Sequence, residues 1–255
     1  MEQKTPVKSA LRTLSLFELF GSQLRALSLS EISRLLDVPQ SSCHGLIKTL
    51  QDAGYLYSLG GGRKVYPTKR LLDLARVINR HDPVLEHLRP HLEQLRDRCG
   101  ETVILGVRER SSVVYLDVVE SNQTIRYSAN AGEIKPLHSS AIGKAMLGEI
   151  VPKERRNLIA GLEFKAVTAK TITSVNKLSK NIEQGVAEGH FITRSENVSD
   201  VTAVAKIVHG AGGVFGVAIA GPMHRMADRL DDHISSLSDF CAGIEASGFS
   251  SAKEL

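Results

Sequence analysis

The chain has 255 residues, 42% of them hydrophobic and 24% charged, which describes a globular protein of one large or two ordinary domains and excludes a disordered or fibrous one. Its net charge of +4 and pI near 9.0 are compatible with a polyanionic partner without requiring one. Cys43, Cys99 and Cys241 are widely spaced, with no C-x-x-C pair and no histidine at ligand spacing, so neither a disulfide scaffold nor a metal or other cofactor is expected. There is no apolar leader and no apolar run of about 18 residues, so a cytoplasmic protein without a membrane span is expected.

Val7, Ala10, Leu11, Leu14 and Phe17 fall on one helical stripe, which predicts a helix packed beneath the next elements of the chain. A compact amphipathic segment, Ser30 to Leu36, leads through Asp37-Val38-Pro39 into a second helix at Gln40 to Leu50. In that helix Cys43, Leu46, Ile47 and Leu50 form an apolar stripe, while Ser41, His44, Gly45 and Lys48 lie opposite. This is the layout of a helix-turn-helix, whose second helix enters a DNA major groove, although two short helices in any helical domain can share it.

The segment after the second helix strengthens the DNA reading. Ala53-Gly54 closes the helix, Tyr55-Leu56-Tyr57 starts a strand, Gly60-Gly61-Gly62 turns it, and Arg63-Lys64-Val65-Tyr66 returns as a second strand. That hairpin is a wing with two cations beside its tip. The first 80 residues hold twelve Lys and Arg against six Asp and Glu, so the positive charge belongs to this segment and the remainder is slightly acidic. Gln40, Ser41, Ser42 and His44 can reach base edges or phosphates; Lys48, Arg63 and Lys64 suit phosphates. The segment Leu71 to Ile78 continues as a helix with more apolar residues than a small domain needs, so some are expected to face a second copy of the chain.

His81-Asp82-Pro83 marks a domain boundary, giving a DNA-binding domain at 1–80 and a second domain at 81–255. Leu85, Leu88, Leu92 and Leu95 mark a helix interrupted near Pro90 and closed by Gly100. Alternating segments at Thr102 to Val107, Ser112 to Val119 and Thr124 to Tyr127 predict an antiparallel meander. Helices are expected at Ser139 to Ile150, Glu154 to Ala160, Val175 to Glu188 and about Asp228 to Ala246. Strands are expected at Val201 to His209 and Val214 to Ala220, joined by a turn at Gly210-Ala211-Gly212-Gly213. The class is α+β, with helices packed on an antiparallel sheet.

Catalysis finds little support. His138-Ser139-Ser140 puts an imidazole beside hydroxyls, but adjacent residues do not face one another and no G-x-S-x-G elbow is present. The glycines at 210, 212, 213 and 216 miss the G-x-G-x-x-G spacing and lead into a strand. The chain is therefore expected not to be an enzyme.

The helix-turn-helix with its wing, together with Leu137-His138-Ser139-Ser140-Ala141-Ile142-Gly143-Lys144-Ala145-Met146-Leu147, resembles the IclR family of bacterial transcription regulators over about Val7 to Ser247. The resemblance implies an N-terminal winged helix-turn-helix on double-stranded operator DNA. It also implies a C-terminal GAF-like domain that binds a small effector and assembles homodimers or homotetramers. By the same resemblance the effector site comprises Ser139, Ser140, Ala141, Ile142 and Gly143, the segment Thr124 to Tyr127, Thr193, Ala203, Ala218 and Ala220, with His138 and Arg194 as candidate receivers of an anionic group.

Two departures matter. Members that bind small oxo acids tend to carry polar groups where this chain has Thr193, Ala203, Ala218 and Ala220, so a larger, partly apolar or ring-bearing metabolite is expected, with Tyr127 stacking or hydrogen-bonding to it. The family commonly has Arg where Gly45 stands, which implies close backbone approach to DNA or readout by neighbouring residues. The expected function is a ligand-responsive repressor of a catabolic operon. An activator of the same family, or a metabolite-binding module or metabolic enzyme of another class, remain the alternatives.

Overall fold

A computed structural model describes residues 6–210, 213–247 and 249, and the chain divides into two compact units between His81 and Asp82. In the first unit the elements are α1 (Lys8–Gln23), β1 (Leu27–Ser28), α2 (Leu29–Leu36), α3 (Gln40–Asp52), β2 (Leu56–Leu59), β3 (Lys64–Pro67) and α4 (Arg70–Arg80). The three short strands form an antiparallel sheet in the order β1-β3-β2.

Local chemistry fixes this helix-turn-helix. Ser28 and Glu31 form a reciprocal capping box at the start of α2: the Glu31 amide donates to Ser28 Oγ and the Ser28 amide to Glu31 Oε2. Asp37 ends α2 in the left-handed region, at φ 50°, and Pro39 then directs the chain into α3. Leu16, Phe20, Leu27, Ile32, Cys43, Ile47, Leu50, Leu56 and Val65 bury together. The inward face of α1 is therefore set by Leu16 and Phe20, while Val7, Ala10, Leu11 and Leu14 are exposed and only Phe17 of the expected stripe packs inward. That helix carries two apolar stripes, and periodicity alone cannot say which meets the core.

The second unit contains α5 (Pro83–Cys99), β4 (Thr102–Glu109), β5 (Ser112–Val119), β6 (Ile134–Pro136), α6 (Ala141–Glu149), α7 (Pro152–Ala160) and α8 (Val175–Glu188). They are followed by β7 (Phe191–Arg194), β8 (Val201–Gly210), β9 (Gly213–Pro222), α9 (Met223–Asp228) and α10 (Leu230–Ala246). Its sheet is antiparallel, ordered β6-β5-β4-β9-β8-β7. Both faces are covered. Val103, Leu105, Val217 and Ile219 join Leu88, Leu92, Leu237 and Ile244 of α5 and α10, whereas Ile104, Ala205, Ala218 and Ala220 join Ile142, Met146, Leu178 and Ile182 of α6 and α8. Burial on two faces explains why the central strands lack simple alternation.

Several expectations are corrected here. The third partner of the meander is β6; Thr124 to Tyr127 is an irregular segment whose Thr124 is exposed. Helix α5 runs unbroken through Pro90, because Leu88, Leu92, Leu95 and Cys99 bury on the sheet and outweigh the ~3 kcal/mol typical of an interior proline. The expected closing helix is α10, and a further short helix, α9, which was not expected, precedes it across Arg229. In the expected turn at 210–213, Gly210 pairs with Gly213, while Ala211 and Gly212 lie outside the described residues.

Candidate functional sites

In the first unit α3 buries Cys43, Ile47 and Leu50 and exposes Gln40, Ser41, Ser42, His44, Gly45 and Lys48. The seven candidate DNA contacts thus share the solvent side of this unit's reading elements: five on α3, and Arg63 and Lys64 exposed where the wing returns. Gly60, Gly61 and Gly62 all have positive φ, so the tip follows a path that residues with side chains rarely adopt. Apart from its chain neighbours and the backbone of its own helix, no described atom lies within 4 Å of a Cβ built at Gly45, so no packing contact demands glycine there.

In the second unit a cavity of about 30 Å³ lies between the start of α6 and the sheet. Its sheet wall is Ile104, Tyr115, Thr193, Ala203, Ala218 and Ala220; Ser140, Ala141 and Ile142 supply the helix wall; Tyr127, Asn197, Val198 and Val201 close it. Strand register brings the alanines together, with Ala203 opposite Ala220 and Ala205 opposite Ala218, which in turn faces Ile104 on β4. Ser140 caps α6, accepting from the Gly143 amide at 3.1 Å and donating to the Pro136 carbonyl at 2.8 Å. Gly143 is required at this start, since a Cβ there would overlap the Leu137 carbonyl oxygen.

Of the residues expected at an effector site, Tyr127, Ser140, Ala141, Ile142, Thr193, Ala203, Ala218 and Ala220 line this cavity. Thr124, Ile125, Arg126, His138, Ser139 and Gly143 do not. Ser139 Oγ instead donates to Asn197 Oδ1 at 3.3 Å, holding one wall residue. His138 is buried against Phe164, with Nε2 3.0 Å from the Lys165 carbonyl, and Arg194 is exposed outside the lining. The three consecutive residues His138, Ser139 and Ser140 therefore serve three separate partners.

Ile104, Tyr115, Asn197, Val198 and Val201 line the cavity without having been expected there. Tyr115 is within reach of the sequence, standing on the buried alternation of β5; Asn197 and Val198 sit on a loop with no periodic signal. Burial pushes the Tyr115 phenol well above its ordinary range, and the neighbouring Tyr127 phenol adds to the shift, so the Tyr115 hydroxyl stays a neutral hydrogen-bonding group at physiological pH. Among the described residues no acidic or basic side chain lines the cavity. Outside it lies a groove of about 390 Å³ that shares Tyr127, Val198 and Val201 as its inner wall.

Among the described residues no group of three His, Cys, Asp or Glu stands together as a metal site, and no helix is long and apolar enough to cross a membrane. Cys43, Cys99 and Cys241 are buried and free.

Two family models match the chain: the IclR helix-turn-helix domain over residues 9–60, and the bacterial transcriptional regulator IclR C-terminal domain over residues 75–243. The chain is 26% identical over 249 residues to the HTH-type transcriptional regulator KdgR of Escherichia coli K12, covering 96% of this chain and 94% of that one. It is 27% identical over 203 residues to the HTH-type transcriptional repressor AllR of Salmonella typhimurium, covering 79% and 75%. Among solved structures, an IclR homologue from Microbacterium hydrocarbonoxydans in complex with 4-hydroxybenzoate superposes with a TM-score of 0.74 at 22% identity, over 93% of this chain and 98% of that one. The reading helix, the wing and the matches across both units converge: the chain belongs to the IclR family, a ligand-responsive bacterial transcriptional regulator.

Proposed function

We propose that this regulator is a repressor of a catabolic operon that acts in the cytoplasm, holds double-stranded operator DNA as a homo-oligomer, and releases it when a partly apolar or ring-bearing metabolite fills the α6 cavity. The observation that carries the effector reading is the lining: four alanines, two isoleucines and two valines with four hydroxyls and one amide, and among the described residues no charged side chain. A small dianion or oxo acid would lose its hydration there without a counter-charge. A ring suits the apolar walls, and the first-turn amides of α6 are suited to its polar end.

Gln40, Ser41, Ser42 and His44 read the major groove in this scheme, while Lys48, Arg63 and Lys64 contact phosphates. Repression follows the named activity of AllR, and a ring-bearing effector is consistent with the 4-hydroxybenzoate complex of the Microbacterium homologue. Assembly is supported by the exposed apolar residues of one unit, Leu11 and Leu14 on α1 and Leu72, Val77 and Ile78 on α4. No catalytic role is assigned, because His138, Ser139 and Ser140 are each engaged elsewhere.

The test is operator release. A fragment of the protein's own promoter is bound at moderate salt and titrated with 4-hydroxybenzoate or with pyruvate, and mass is followed by sedimentation. Release by the aromatic acid at lower concentration than by pyruvate, from a dimer or tetramer, is expected. Release by pyruvate alone would overturn the effector reading, and operator binding by a strict monomer would overturn the assembly.

A further inference from the structure

Lys144 is the largest fully buried side chain among the described residues, one turn into the cavity-forming helix, and its Nζ donates to Glu196 Oε1 at 2.7 Å. Glu196 is more than nine-tenths buried, and its second carboxylate oxygen has no hydrogen-bond partner among the described residues. Burial lowers the affinity of Lys144 for its proton and raises that of Glu196, each opposed by the other's charge, so each holds its charge through the other. Such a pair is weak as a source of stability and strong as a constraint on geometry.

What it constrains is the chain next to Glu196. The segment from Ser195 to Val201 is a closed loop: the Ser195 amide donates to the Val201 carbonyl at 2.8 Å, and both Ser195 and Asp200 take left-handed backbone, at φ 58° and 62°. Thr171 Oγ1 donates to the Glu196 carbonyl at 2.6 Å from the other side. Asn197 and Val198, the next two residues, are cavity wall, and Val198 also faces the outer groove. The remaining walls are sheet and helix, so this loop and the Tyr127 segment are the mainly irregular parts of the lining.

We propose that the buried Lys144–Glu196 ion pair is a positioning element of the effector site, pinning the 195–201 loop so that Asn197 and Val198 form the wall between inner cavity and outer groove. The pair acts through those two residues and does not itself touch the effector. The cavity's role as effector site rests on the function proposed for it; the mechanical claim is tested without any ligand.

The experiment is hydrogen exchange on the full chain. Glu196→Gln and Lys144→Met each leave one buried charge unmatched, and the double variant Lys144→Met with Glu196→Leu leaves none. Amides at 195–201 should exchange at least about tenfold faster in both single variants while the amides of β8 and β9 keep their protection. The double variant should recover the wild-type thermal midpoint but remain fast at 195–201, because apolar replacements fill the space without fixing direction. Unchanged exchange in the single variants overturns the proposal. So does acceleration spread equally over β8 and β9, or a double variant that regains full protection in the loop. If the cavity is not the effector site, Ala218→Phe keeps its ligand response while the exchange result stands, so the two failures are told apart.

Discussion

Ile142 on α6 rests on Gly216 of β9, where a Cβ would lie 2.5 Å from its Cγ2, and its Cδ1 reaches over the paired Gly106 of β4. Two register-matched glycines thus make a notch in the sheet that seats the first turn of the cavity helix. Gly216→Ala should push α6 outward and destabilise the second unit by about 1–3 kcal/mol, the usual range for overpacking. Chemical denaturation should show the loss with α3 and the wing unaffected; an unshifted midpoint would mean that α6 adjusts freely.

Ala218→Phe places a ring on the cavity side of β9. The variant should fold with a loss of about 1–3 kcal/mol, keep its operator affinity, and lose the effector response. Operator affinity and thermal midpoint without ligand, followed by the ligand-induced change in affinity, give the answer. A full response at unchanged concentration would remove Ala218 from the site.

The proposed DNA contacts divide by chemistry. His44→Ala should narrow the difference in affinity between operator and scrambled DNA, each base-specific contact being worth about 1–3 kcal/mol. Arg63→Ala and Lys64→Ala should weaken both complexes alike and flatten the salt slope by about one unit each. Equal loss on both sequences for the His44 variant would reassign it to phosphate contact.

Gly45 offers a test with opposite signs. Because no described atom lies near a Cβ at that position, Gly45→Ala should stabilise the free first unit by roughly 0.5–1 kcal/mol through helix propensity. If backbone meets DNA there, operator affinity falls in the same protein. Calorimetry and operator titration on one preparation separate the two effects, and tighter binding by the variant would refute close approach.

His233 on α10 is 1% exposed, and neither ring nitrogen has a hydrogen-bond partner among the described residues. Burial holds its pKa below the ordinary histidine value, Arg229 pushes it the same way, and Glu101 and Asp232 oppose. The unfolded chain takes up this proton near pH 6.5 and the folded chain only at lower pH, so unfolding binds protons in that window. Stability is full above about pH 6.5 and falls as the pH drops below it, by at most about 1.4 kcal/mol per unit for one proton. Thermal midpoints at pH 7.5 and 5.5 should differ less in His233→Phe than in the wild type.

The helix-turn-helix is legible in the sequence because each of its signals is local: the spacing of Cys43, Ile47 and Leu50, the Asp37-Val38-Pro39 break, the three glycines of the wing. The cavity is legible in part. Ala203, Ala218 and Ala220 lie on strands long enough to register from pattern, and the resemblance supplies their meaning. Asn197 and Val198 escape, since a loop held by Glu196 and two threonine hydroxyls has no period to read. The inward face of α1 is ambiguous for a related reason: the choice between its two apolar stripes is made by partners distant in sequence, Ile32 and Val65 among them.

The small volume of the inner cavity has a consequence for how such a sensor would behave in time. Its volume of about 30 Å³ admits one or two water molecules, whereas an aromatic ring needs on the order of 150 Å³. If the proposed effector is a ring seated in this cavity, it enters only those molecules whose wall has opened, and the apparent dissociation constant is the intrinsic one divided by that fraction. On that reading sensitivity follows the open fraction of one short loop, and response lag follows its opening rate. A substitution that loosens the loop should lower the half-response concentration and shorten the lag together, with no new contact to the metabolite.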